Sequence, residues 1–371
     1  PILFSDKIVF STNGVEQKVV LEAFGQDVQI WDEMVILSDT IIADSKPILI
    51  KDSLVIEEHA TLTVKEGMHF YMDNDARIVV NGTIKLQGSQ ENPVVFRGKR
   101  TDYILSISCD LIPGQWDGFF FDEKSFGNEM EHVRIRNGKS GLYFETSTPD
   151  EEKIRMKSVV LTNFSEHLIQ AINCNIIADN CELTNSRYAL LNLRGGKYRF
   201  THCTIANFMP SQPDKGWANS DNETIILSNV DNIWIDQPTT YPLLQADFTN
   251  SIVWGRSPGQ RSIIQLEDGE EGEFNYMFRN CIVPNEKENS GHTINCLYKD
   301  PLFVWTNPVD PETGHFSPVF NFRLMNAKEG AEPSPAINSA DPAYASDLPL
   351  DLDGNDRLAD GMPDMGTYEF K

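Results

Sequence analysis

Short apolar runs separated by Asn, Gly, Asp and Ser dominate the chain, and within the runs apolar and polar positions alternate. Pro47-Ile48-Leu49-Ile50, Ala60-Thr61-Leu62-Thr63-Val64, Arg77-Ile78-Val79-Val80 and Pro93-Val94-Val95-Phe96 are examples. A period of two over four or five residues, bounded by turn formers, predicts strands with one buried face. No stretch keeps the 3.6-residue period of an amphipathic helix, so an all-β chain is expected.

The strands also repeat. A motif reads aromatic or apolar, any, Asn or His, small, any, Ile or Val. It occurs as Phe200-Thr201-His202-Cys203-Thr204-Ile205, Phe248-Thr249-Asn250-Ser251-Ile252-Val253 and Phe278-Arg279-Asn280-Cys281-Ile282-Val283. Looser copies run from Ile177 to Leu183 and from Arg155 to Val160. Its small residues, Ser158, Cys181, Cys203, Ser251 and Cys281, are spaced near 22 residues or with insertions. One short strand at that period fits a coil of a parallel β-helix, in which equivalent residues stack on successive coils. Residues 45–300 are expected to form the helix, 1–44 an N-terminal β cap and 301–371, with nine of the twenty prolines, an irregular C-terminal cap. At roughly 22–26 residues per coil the rod has on the order of ten coils and is about 50 Å long. Caps are expected because open strand edges invite association.

At 371 residues the chain exceeds the usual single-domain size, which a solenoid tolerates because each repeat packs only on its neighbours. Asp and Glu number 55 against 31 Lys and Arg, a net charge of −24. That argues against nucleic acid and anionic membrane surfaces as partners. There is no apolar run of transmembrane length. The six cysteines, Cys109, Cys174, Cys181, Cys203, Cys281 and Cys296, form no CxxC and have no His at ligand spacing. They read as buried thiols, with no zinc site and no disulfide framework. Cys181 and Cys203 are expected to stack inside the rod.

The C-terminal segment carries a family resemblance. Lys299-Asp300-Pro301-Leu302-Phe303, Phe322-Arg323-Leu324, Ser334-Pro335-Ala336-Ile337-Asn338, Asp351-Leu352-Asp353-Gly354-Asn355-Asp356-Arg357 and Pro363-Asp364-Met365-Gly366-Thr367-Tyr368-Glu369 follow in order. This order resembles the closing segment of secreted right-handed parallel β-helix proteins, pectate-lyase-like and choice-of-anchor in type. Leu54 to Gly88, Asn92-Pro93-Val94-Val95-Phe96 and Gly114-Gln115-Trp116-Asp117-Gly118 resemble the first coils of lipoproteins of Bacteroides-type bacteria. The resemblance implies a right-handed coil and an exported protein, on the outer-membrane surface or periplasmic. It also implies a lipid anchor before Pro1 as the only membrane attachment.

Candidate chemistry falls in three places. Glu131-His132-Val133-Arg134-Ile135-Arg136-Asn137-Gly138-Lys139 holds a basic strip of Arg134, Arg136 and Lys139. Alternation puts Glu131, Val133 and Ile135 on one face and His132, Arg134 and Arg136 on the other, although register also allows His132 the inward slot. Such a strip can neutralise a substrate carboxylate, as lyase chemistry requires, or can simply pair with neighbouring acidic rows. Asp351-Leu352-Asp353-Gly354-Asn355 has the flavour of a calcium loop but lacks the full twelve-residue pattern, and a turn capped by its own side chains is the simpler reading. No cofactor is called for. The insertions after Ile205, Val253 and Val283 should leave the rod at one corner. They carry Trp217 and Trp254 as faces for sugar rings, with Asp214, Lys215, Arg256 and Arg261 as polar contacts. The competing and more ordinary reading is that these loops fold back and bury both tryptophans. No GxSxG, P-loop or HExxH motif is present. The sequence therefore points to an exported protein that binds an extended polysaccharide, with a polysaccharide lyase or glycoside hydrolase as the alternative.

Overall fold

The computed structural model describes residues 2–25, 27–43, 46–104, 107–209, 223–231, 238–256, 263–269, 271–284, 291–309, 311–312, 314, 316–326 and 332–371. The chain is all-β apart from two 3-10 turns, Cys109–Leu111 and Pro342–Tyr344, among these residues. Three long sheets of nine, ten and nine strands are parallel throughout, and successive strands visit them in rotation. We call them faces I, II and III. Face I begins with Met34–Ile36 and Ser53–Ile56, face II with Thr40–Ile42 and Thr61–Lys65, face III with Gln29–Trp31 and Ile48–Ile50. The architecture is a parallel β-helix.

Alternation explains the winding. Strands such as Ser53–Ile56 and Thr61–Lys65 bury every second residue, and those residues meet inside the rod. Successive coils lie about 4.8 Å apart, so residues in register stack on their like. Phe70 lies on Phe96 with ring centroids 4.4 Å apart, Phe121 on Phe144 at 4.5 Å, and Phe248 between Phe200 and Phe278 at 5.0 and 4.7 Å.

The Asn or His of the repeat has a backbone cause. At the corner from face II to face III the chain takes a left-handed residue in each of the later coils. His132, Ser158, Asn180, His202, Asn250, Asn280 and Asn295 all have φ between 49° and 58°. Asn and His tolerate that region better than most side chains do. The register corrects two readings of the motif. Lys157 pairs with Asp179 and Val160 with Glu182, so Ser158 belongs to this corner column, and Val159 takes the inward slot in line with Cys181 and Cys203. His132 is likewise the corner residue, so Glu131 ends a face II strand and Val133 opens a face III strand. All five of Cys109, Cys174, Cys181, Cys203 and Cys281 are buried free thiols, and Cys296 is half-buried.

Both terminal segments differ from the expected end caps. Parallel stacking begins at Gln29, inside residues 1–44. Ile2–Thr12 and Val15–Gly25 form an antiparallel hairpin that pairs only with itself, and its residues 3–23 are exposed. The described contacts of residues 301–371 run along the flank of the rod. Phe303, Phe322, Leu324, Ala336, Leu352, Met365 and Tyr368 cluster on Val160, Ala206, Ile252 and Ile282 of face III. Those four point outward, so this segment is a lateral strap that gives the later coils of face III a second apolar layer.

The strap is riveted to the corner column. Arg357, fully buried, donates from Nη1 to Glu369 Oε1 at 2.6 Å and from Nη2 to Asn180 Oδ1 at 2.6 Å. Thr204 and Thr367 exchange hydrogen bonds, each backbone N–H donating to the other's hydroxyl at 2.8 and 3.0 Å. Asn250 receives the Asp341 N–H and donates to the Asp341 carbonyl, both at 2.9 Å.

Candidate functional site

The strap covers the later coils of face III, and two outward rows of side chains run along the earlier ones, where His69, Arg97, Arg134, Arg136 and Thr162 reach the surface while Tyr71, Val95, Val160 and Thr184 are buried. Register aligns Tyr71, Arg97, Arg136, Thr162 and Thr184 in one row, and His69, Val95, Arg134, Val160 and Glu182 in the other. Strand alternation sends these residues outward while Val133 and Ile135 enter the core. The predicted strip is therefore divided. Arg134 and Arg136 project side by side from Val133–Arg136, whereas Lys139 lies past the strand and pairs with Asp75 at 2.5 Å and Asp117 at 2.8 Å.

A long excursion between Val94–Gly98 and Gly118–Phe121 walls one side. Its 3-10 turn carries Asp110, whose Oδ1 lies 2.7 Å from Arg136 Nε and 3.2 Å from Arg97 Nη2, with Oδ2 at 3.1 Å from Arg136 Nη2. Arg97 in turn sits over the Tyr71 ring, 6.0 Å from its centroid. Burial, then the nearby Arg136 and Arg97, hold the His69 imidazole below its ordinary pKa, which keeps it neutral at pH 7. On the strap side, Tyr368 and Thr184 donate their hydroxyls to Glu182, and burial pushes that carboxyl up. Arg323 stacks on the Tyr368 ring at 4.6 Å and forks onto Asp353 through two 2.6 Å hydrogen bonds.

Arg134 stands apart in this setting. Among the described residues no carboxylate lies within ion-pair distance of it, and its side chain is half-buried beside the Arg97–Asp110–Arg136 bracket. The cations of face II are arranged differently. There Lys85–Glu129, Lys157–Glu131, Arg199–Asp179 and Arg279–Asp247 close at 2.8, 3.4, 3.1 and 3.2 Å, and the rows neutralise one another.

The other predicted site residues fall elsewhere. Trp217, Asp214, Lys215 and Arg261 lie outside the described residues. Trp254 projects from face III in line with Ala206 and packs, partly buried, against the strap cluster. Arg256 is exposed just beyond that strand, its N–H donating to the Asn207 carbonyl. The strands that flank the segments after Asn207 and Gly255 lie on face III and then face I, whereas the chain after Val283 next pairs on face II through Thr293–Ile294. In the segment with calcium-loop flavour the oxygens diverge. Asp351 accepts the N–H groups of Asp353, Asn355 and Glu369 and the Asn355 amide, and Asp353 is held by Arg323. This is a turn capped by its own side chains.

Sequence reasoning found Arg134 and Arg136 but missed Tyr71, Arg97, Asp110 and Glu182. Aligning Val94-Val95-Phe96-Arg97 with Val133-Arg134-Ile135-Arg136 would have paired the two arginines; nothing local announces that Asp110 returns to bridge them. No family model, curated protein or solved structure matches the chain.

Proposed function

We propose that the chain is an exported binding module for an extended acidic polysaccharide, held along the earlier coils of face III. The observation that carries this reading is Arg134, a half-buried guanidinium with no carboxylate within ion-pair distance among the described residues, set in a row with the exposed His69. A guanidinium placed beside a prearranged bracket, with no ion-pair partner among the described residues, favours an anionic ligand group, because guanidinium and carboxylate match as a two-pronged pair. The net charge of −24 works against a polyanion, so the reading rests on the local arginines. Charges more than about 8 Å away are largely screened at physiological ionic strength, so the local arginines decide. Thr162 adds a partly exposed hydroxyl in the neighbouring row, and His69 is exposed in the row of Arg134. The parallel rows repeat along the rod, which suits a polymer. The coil is taken as right-handed, as parallel strand crossovers are in about 98% of cases. Export, with a lipid anchor ahead of Pro1, belongs to the same reading.

Titration calorimetry with polygalacturonate, using dextran as the neutral control, tests this. The parent should bind the polyuronate and not the dextran. Arg134→Gln should weaken binding about tenfold or more, the loss of one hydrogen bond to a charged group at about 1.5–3 kcal/mol. Its melting temperature should be unchanged, because Arg134 makes no ion pair among the described residues. Equal binding of both polymers, or an Arg134→Gln protein that binds as the parent does, would overturn the proposal.

A further inference from the structure

The N-terminal hairpin is the feature that the rod does not account for. Its two eleven-residue strands pair from Ile2↔Gly25 to Thr12↔Val15 with no register shift. An isolated two-stranded hairpin is marginal in water unless a face is covered. Here the faces are bare: nine large apolar side chains between Leu3 and Leu21 are 43–62% exposed. Alternation sorts them unevenly. One face carries Phe4, Ile8, Phe10, Val15, Val19 and Leu21, with Ala23, and its only charge is Asp6. The other face holds Lys7, Glu16, Lys18 and Glu22 among its apolar residues.

We infer that the Phe4–Leu21 face is an interface with a second copy of this chain, two hairpins packing face to face as a four-stranded sandwich. Three observations single out a second copy. The first is shape. Register sets Phe4 across from Ala23 and Phe10 across from Gln17. A two-fold axis along the hairpin exchanges the strands, so each phenylalanine lies over the shorter residue of the partner. The second is charge. The chain as a whole is at −24, which repels its own copies, but residues 2–25 hold two lysines against three acids. The hairpin is thus a place where two such acidic rods can approach. The third is area. Large side chains offer about 150–200 Å² each when fully exposed. Six of them, half exposed, leave on the order of 500 Å² per copy, so two copies bury about 1,000 Å², the lower bound for a specific interface and in keeping with a weak, micromolar dimer. Aligned sheet packing about 10 Å apart accommodates these side chains.

Sedimentation velocity of the full chain at about 1–100 µM tests the inference. The parent should sediment as a dimer in the upper part of that range. The double variant Phe10→Lys/Val19→Lys should be monomeric throughout, with at least a hundredfold weaker association. The conservative variant Phe10→Leu/Val19→Ile should remain dimeric, which separates loss of the interface from loss of the hairpin. A parent that stays monomeric at 100 µM overturns the inference, as does a dimer that survives the two lysines. Cosedimentation of a monomeric parent with phosphatidylcholine vesicles would also overturn it, by assigning the stripe to lipid.

Discussion

Replacing Arg357 tests whether the strap is held by its buried rivet or by its apolar surface alone. The guanidinium is fully buried and donates to Glu369, Asn180 and the Thr367 carbonyl, the last at 3.2 Å. Arg357→Met keeps much of the volume but strands the Glu369 carboxyl, only 7% exposed, and orphans the Asn180 amide oxygen. At pH 9, where Glu369 with its pKa of about 8 is ionised, breaking one side of this buried ion pair costs about 3–5 kcal/mol. Removing both charges avoids the stranded ion, so Arg357→Met/Glu369→Met should cost only about 1–3 kcal/mol, the unmet Asn180 acceptor and Asp364 N–H. The reporters are the Thr204 and Thr367 amides, which bond across the junction and exchange with solvent when the strap lifts. Hydrogen exchange at these amides should accelerate about 10²–10⁴-fold in the single variant and much less in the double. If the single variant shifts exchange by less than about tenfold, or the double is worse than the single, the rivet is not what holds the strap.

The strap should also respond to pH. Burial pushes Glu369 up to about 8 against the pull of Arg357, and burial likewise raises Glu182 and Asp364. A carboxyl with a raised folded pKa binds its proton more tightly when folded. This contribution is therefore fully present below the unfolded pKa and lost as pH rises towards about 8. Strap amides should exchange faster from a larger open population at pH 9 than at pH 5 after correction for intrinsic rates, and Glu369→Gln should flatten the difference; a strap that tightens with rising pH contradicts this. In the rod, Phe248→Ala removes a fully buried ring stacked on both sides. The truncation costs about 3–5 kcal/mol in urea unfolding, towards the upper end because two ring pairs are lost. A loss below about 2 kcal/mol would show that the stack is not a tight column.

Sequence alone determined the coil. Two-residue alternation chose strands, and the recurrence of Phe, Asn or His, and a small residue chose stacked parallel coils, because a repeat of that length has nothing but its neighbours to bury its apolar side against. It also put Arg134 and Arg136 on one face, since strand alternation is a local rule, but left open which way that face points. It placed Ser158 one position from its true column, because Ser is both small and able to occupy the left-handed corner, and only pairing Lys157 with Asp179 resolves which role it takes. Tertiary structure decided what lies far apart in the chain. Asp110 reaches Arg97 and Arg136 by way of a loop, Arg357 meets Asn180 from 177 residues away in the chain, and the Pro-rich segment runs along the flank because Val160, Ala206, Ile252 and Ile282 leave an apolar patch there. Trp254, in line with Ala206, joins that patch and packs against the strap. Local patterning carries the period of the core, but which outward row is covered and which stays open depends on where a distant segment finds apolar surface to bury.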